Sequence, residues 1–136
     1  MNHFIILPVA VYLGSAFLLP LFYGKNDVLA GVAASAFAFL ALVISIILGM
    51  DVFAGGRMLY FVGGWENPLG IALMVDPLSA LFLILTNLIA FLIAVYSVVY
   101  MTKHSRAVYF YVLFMLMLGG MNGILISMDF FNIFVF

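Results

Sequence analysis

Four apolar stretches, each long enough to cross a bilayer, leave this chain few ways to fold. The hydrocarbon core of a membrane is roughly 30 Å thick and takes about 20 helical residues to span. Runs of that length cover about Phe4 to Phe22, Val28 to Met50, Pro77 to Met101 and Ala107 to Met128. Inside lipid, every backbone N–H and C=O must find a partner within the protein, so isolated apolar runs become helices. Composition agrees: 69% of the 136 residues are hydrophobic and 7% are charged, too few to wet the surface of a soluble domain. The sequence predicts an all-α membrane protein, a single transmembrane domain over residues 1–136 with four transmembrane helices.

The segments between the runs set the topology. Tyr23-Gly24-Lys25-Asn26-Asp27 is a tight turn, which makes the first two spans antiparallel neighbours. The long connection, residues 51–76, holds two short apolar runs, Arg57 to Val62 and Leu69 to Val75, around Gly63-Gly64-Trp65-Glu66-Asn67-Pro68. Short apolar runs bounded by Gly and Pro read as a β-hairpin, here external and between helices two and three. Neither run alternates cleanly, which predicts cover on both faces, and free apolar edges predict a neighbour that caps them. Trp65 and Tyr60 suit an interfacial aromatic belt. Asp76-Pro77 marks a helix start, with aspartate as N-cap and proline where its missing N–H costs nothing. Asp129 reads as the cap of a further helix. The seven residues after it make about 10 Å of helix, so 129–136 read as the start of a fifth, unfinished span.

Small residues mark close helix contacts. Ala10 and Gly14 form one groove, Gly31, Ala34, Ser35 and Ala38 a second, and Gly119 and Gly123 a third. The second is read as packing within the bundle rather than a surface for a partner. Orientation follows from the cations. Lys25, Lys103 and Arg106 fall in the two short connectors, against Arg57 alone on the other side. The positive-inside rule makes those three topology anchors in the cytoplasm and leaves the amino terminus and hairpin outside. The start Met-Asn-His-Phe-Ile lacks the basic region and cleavage site of a signal peptide, so the first span is expected to be retained.

Few groups here carry chemistry. With no Cys there is no thiolate site, two distant His make no metal centre, and a net charge of −1 gives no hint of nucleic acid. No nucleophile–base pair or phosphate loop appears, so no catalytic residue, cofactor or metal is expected and the chain is read as no enzyme itself. His104 is the one connector group that titrates near neutral pH. What remains is a pair of intramembrane amides, Asn87 and Asn122, which either line a water-filled ion path or bond across helices. Neither ionises, which favours polar packing. A proton or sodium path needs ionisable groups at membrane depth, and none of the four spans has one in its interior.

Two stretches resemble a known family. Gly63-Gly64-Trp65-Glu66-Asn67-Pro68-Leu69-Gly70-Ile71 followed by Val75-Asp76-Pro77-Leu78-Ser79-Ala80-Leu81-Phe82 is similar to the segment opening the third helix of antiporter-like subunits. Leu118-Gly119-Gly120-Met121-Asn122-Gly123 followed by Asp129-Phe130-Phe131-Asn132-Ile133-Phe134-Val135-Phe136 resembles their fourth helix and the start of the fifth. Such subunits occur in Mrp-type sodium/proton antiporters, complex I and membrane-bound hydrogenases, and the likeness is to the Mrp D type. The resemblance implies an external amino terminus and hairpin. It also implies that the chain corresponds to the first four helices of a longer fold, whose key glutamate would lie just beyond Phe136. A split or truncated, accessory subunit of a multisubunit ion-translocating complex is therefore expected, with other membrane subunits of an Mrp-like or hydrogenase-like complex, and lipid, as partners. The rival reading is a small, self-sufficient oligomeric transporter or channel, which would need an ionisable group on its symmetry axis.

Overall fold

The computed structural model describes residues 2–23, 26–64, 71–101 and 107–136. Lys25, Lys103 and Arg106, and Trp65 and Glu66, lie outside the described residues. A 3-10 turn, Asn2–Ile6, leads into α1 (Leu7–Tyr23) and α2 (Asp27–Gly55). The strands β1 (Met58–Phe61) and β2 (Ala72–Val75) precede α3 (Pro77–Met101), α4 (Ala107–Ile126) and a short α5 (Phe130–Val135). Four of the helices are long and apolar enough to cross a membrane.

Helix α2 runs five residues past the Met50 boundary read from the sequence. Nothing in Asp51-Val52-Phe53-Ala54 breaks a helix, and Val52 is buried, so winding continues until Gly55-Gly56. Gly56 sits at φ +85 and its N–H bonds the Val52 carbonyl, a stop that a residue with a Cβ takes up only with strain. At its other end Asn26 is the N-cap, its side chain accepting the Leu29 N–H at 3.1 Å.

Helix α2 packs most extensively on α3, and α1 on α4 and then α2, while α3 and α4, neighbours in sequence, touch lightly. The contact surface of α2 is almost bare of side chain: Ala30, Ala34, Ala38 and Ala41 are all fully buried. They form one core with Tyr12, Ala16 and Leu19 of α1, Ala90 and Ala94 of α3, and Tyr111 and Met115 of α4. Lipid tails are as apolar as leucine, so association in a bilayer comes from close van der Waals packing, which small residues allow. The large apolar side chains point the other way; Phe17, Leu21, Val99 and Leu113 are among those widely exposed. The Ala10–Gly14 groove departs from its expected role. Ala10 is exposed and no atom lies within 4 Å of where a Gly14 Cβ would be, because α1 buries the face carrying Tyr12, Ser15, Ala16 and Leu19 instead.

The hairpin closes one end of the bundle. Its strands pair antiparallel, Met58 opposite Val75 and Phe61 opposite Ala72. Leu73 and Val75 join Ile5, Val9, Leu48, Val52, Leu83 and Ile126 in a second core. Cover on both faces holds for β2 alone; β1 exposes Leu59 and Phe61 by alternation. The β2 edge is capped from within the chain: Ser127 bridges Leu73, and the Met128 N–H donates to the Ala72 carbonyl at 3.2 Å. That satisfies an edge otherwise open to pairing with another chain.

Candidate functional site

Asn87 lies ten residues past Pro77 on α3, about 15 Å along a helix and so near mid-membrane. At that depth an amide has no water to bond, and its two N–H donors and carbonyl oxygen must be met by protein. The fold meets all of them. Asn87 Nδ2 donates to Ser45 Oγ at 2.7 Å and to Asn122 Oδ1 at 2.9 Å. Asn87 Oδ1 accepts from the Tyr12 hydroxyl at 2.6 Å and from Asn122 Nδ2 at 3.2 Å. The second Asn122 N–H goes to its own helix, the Leu118 carbonyl, at 2.8 Å, and the Ser45 hydroxyl to the Ala41 carbonyl at 2.8 Å.

Each spanning helix thus contributes one member: Tyr12 from α1, Ser45 from α2, Asn87 from α3 and Asn122 from α4. Tyr12, Ser45, Asn87 and Asn122 are all fully buried. Two facing amides exchanging hydrogen bonds, flanked by two hydroxyls, make a neutral and closed set. It binds helices together and fixes their register; it offers no group that changes charge near neutral pH. Among the described residues, no group of three or more His, Asp or Glu is placed to hold a metal.

Sequence reasoning reached Asn87 and Asn122 and missed Tyr12 and Ser45. A signal for Ser45 was present. It extends the stripe Ala34, Ala38, Ala41 by one more helical turn, so the buried face of α2 carries it inward. Tyr12 gave a weaker one, since a tyrosine inside an apolar span reads equally well as lipid-facing. A second buried phenol behaves differently. The Tyr111 hydroxyl is buried with no hydrogen-bond partner among the described residues, pressed against α2 where Gly31 leaves out a side chain.

The two capping aspartates lie at helix starts. Asp129 is the N-cap of α5; its Oδ1 accepts the Asn132 N–H at 2.7 Å and its Oδ2 the Asn132 side-chain amide at 2.6 Å. Asp76 Oδ1 accepts the Ser79 N–H at 2.7 Å as α3 begins. That bond, foremost, holds the Asp76 carboxyl below its ordinary range. A carboxyl depressed by folding stabilises the fold above its unfolded pKa, near 3.9, and stops doing so as pH falls through the lower folded value. Asp76→Asn keeps a good cap without the titration, whereas Asp76→Ala should cost about 1 kcal/mol. Thermal unfolding in detergent should separate wild type from Asp76→Asn below about pH 4 and leave their difference constant above about pH 5.

Comparison with known proteins agrees with this architecture. The sequence family described as NADH-ubiquinone oxidoreductase (complex I), chain 5 N-terminus, matches residues 66–111. The chain is 35% identical over 136 residues to the D-type subunit of the Na(+)/H(+) antiporter of Bacillus subtilis (strain 168), covering 100% of this chain and 27% of that relative. It is 34% identical over 141 aligned positions to the D-type subunit of a probable K(+)/H(+) antiporter of Rhizobium meliloti (strain 1021), covering 26% of it. A chain in the solved structure of the membrane-bound sulfane sulfur reductase, an archaeal respiratory membrane complex, superposes with a TM-score of 0.88 at 27% identity. That match covers 96% of this chain and 27% of the other. The chain spans about a quarter of the length of these relatives.

Proposed function

Because this chain belongs with the antiporter-like membrane subunits of Mrp antiporters and complex I, we propose that it is a helical scaffold within a multisubunit ion-translocating membrane complex. One observation supports the scaffold role above the rest. Every N–H of the central Asn87–Asn122 pair is already committed inside the protein, so neither side-chain amide has a donor left for water or an ion. Ion paths through membranes run along groups that ionise or that face water, and this core is neutral and closed. Asn87 and Asn122 act in this reading as polar packing, with Tyr12 and Ser45 holding them, and the partners of the chain are other membrane subunits.

The test is flux. Reconstituted alone in liposomes, the chain should carry neither sodium nor protons above the leak of empty vesicles. A sodium or proton flux above that leak would overturn the scaffold reading in favour of the oligomeric channel.

Orientation is part of the same proposal: amino terminus and hairpin outside, Lys25, Lys103 and Arg106 at the cytoplasmic face as topology anchors. The chain has no Cys, so single cysteine substitutions can be read without background. In intact cells an impermeant maleimide should label Asn67→Cys and spare Ser105→Cys. The reverse pattern would invert the topology.

A further inference from the structure

At the root of the hairpin, where α2 has ended and α3 has just begun, an open cavity of about 420 Å³ is lined by Gly56, Arg57, Met74, Asp76 and Pro77. Two of those five residues carry opposite charges. Among the described residues they form no ion pair with each other, and Arg57 is exposed. Asp76 Oδ1 accepts the Ser79 N–H, and its half-buried carboxylate stands on the cavity wall as an anion. The turn at Gly56, with φ +85, and the Asp76-Pro77 helix start place the two charged residues on the one cavity.

The position is that of a membrane interface, since two spanning helices terminate at it. Below the cavity, α2 exposes Met50 and Phe53 and α3 exposes Leu78 and Leu81, all more than half accessible. A ligand suited to this place has an anion and a cation a few ångströms apart and an apolar body beneath them. We propose that the cavity binds the headgroup of a phosphatidylethanolamine lipid, its phosphate on Arg57 and its ammonium on Asp76, with the acyl chains lying along α2 and α3. Guanidinium to phosphate and ammonium to carboxylate are both charge-assisted hydrogen bonds, the strong kind. Phosphatidylcholine matches the charges but its quaternary nitrogen has no N–H to give Asp76. Phosphatidylglycerol supplies the phosphate alone and leaves Asp76 facing an anion. The site would serve a scaffold and a conducting subunit alike.

Native mass spectrometry of the purified chain, released from micelles holding equal amounts of the three lipids, reads the preference directly. Phosphatidylethanolamine should be retained about tenfold over either competitor, the ratio that one charge-assisted hydrogen bond supplies. Asp76→Asn, which preserves the helix cap, should bring phosphatidylethanolamine down to the level of phosphatidylcholine. Arg57→Gln should lower both zwitterionic lipids, and Arg57→Lys should restore much of the binding. Equal retention of the three lipids, a preference for phosphatidylglycerol, or a preference that survives both charge-removing variants would overturn the assignment. So would soluble glycerophosphoethanolamine binding as tightly as the lipid, since it lacks the acyl chains.

Discussion

Replacing Asn87 by leucine should lower the stability of the bundle by about 3 kcal/mol, the largest loss expected from any single polar substitution in the core. Interhelical hydrogen bonds in membranes are each worth roughly 0.6–1.7 kcal/mol, and Asn87 is party to four of them. The loss of the bonds is only part of it. The Tyr12 hydroxyl, one Asn122 N–H and the Asn122 carbonyl oxygen would be stranded in an apolar interior, each at a cost of about 1–3 kcal/mol before relaxation. The distinctive result lies in the repair. Adding Tyr12→Phe and Asn122→Leu to Asn87→Leu removes the stranded groups and should recover at least half of the loss, though it adds two substitutions. Reversible unfolding in mixed micelles, read by circular dichroism, measures both variants. A triple variant worse than Asn87→Leu by the sum of its parts would mean that the four side chains act independently.

A side chain at Gly31 should be nearly as damaging, for a steric reason. A Cβ there would sit 2.6 Å from the Tyr111 hydroxyl oxygen, 3.0 Å from its ring carbon Cζ and 3.3 Å from a Val98 methyl. Tyr111 is fully buried, so its ring can give way only by displacing neighbours in the core. Overpacking of this kind costs about 1–3 kcal/mol, and Gly31→Val, with two more carbons, should reach the top of that range. Tyr111→Phe alone should leave stability unchanged or raise it by about 1 kcal/mol, since the hydroxyl it removes is buried without a partner among the described residues. Combined with Gly31→Ala it should relieve most of the clash. A Tyr111→Phe variant that loses stability would show that the phenol has a hydrogen bond after all, and the pairing with Gly31 would have to be redrawn.

The spans, the hairpin and its place between helices two and three were legible in the sequence because each rests on local chemistry. Run length sets a spanning helix, and Gly and Pro bound short strands. The end of α2 was misplaced because Asp51 resembles a boundary, while a single charge near the membrane surface does not stop a helix; only Gly55-Gly56 does. The outward face of Ala10 and Gly14 was beyond reach for another reason. Small residues state that a helix can be approached closely, and whether anything approaches depends on which face its neighbours take. The core node divides the same way. Buried amides announce that they need partners, so Asn87 and Asn122 stood out, but the identity of those partners is tertiary. Asn87 is 75 residues from Tyr12 and 42 from Ser45, separations that no periodicity reports.

The seating of α1 against α4 has a consequence for how the protein is made. The ribosome delivers α1 first, yet its main packing surface, α4, begins only at Ala107, 84 residues after Tyr23. At roughly 5–20 residues per second that is a delay of about 4–17 s. Asn87, the partner of the Tyr12 hydroxyl, sits on α3 and follows Tyr23 by 64 residues, so for most of that delay the phenol lacks its acceptor. The first helix must therefore be sheltered by the insertion machinery or turn its phenol toward the headgroups until the third arrives, and its main packing face stays uncovered until the fourth. Nascent chains arrested before Pro77 should leave Tyr12 within cross-linking distance of the translocon, and chains from which α3 and α4 have both emerged should release it.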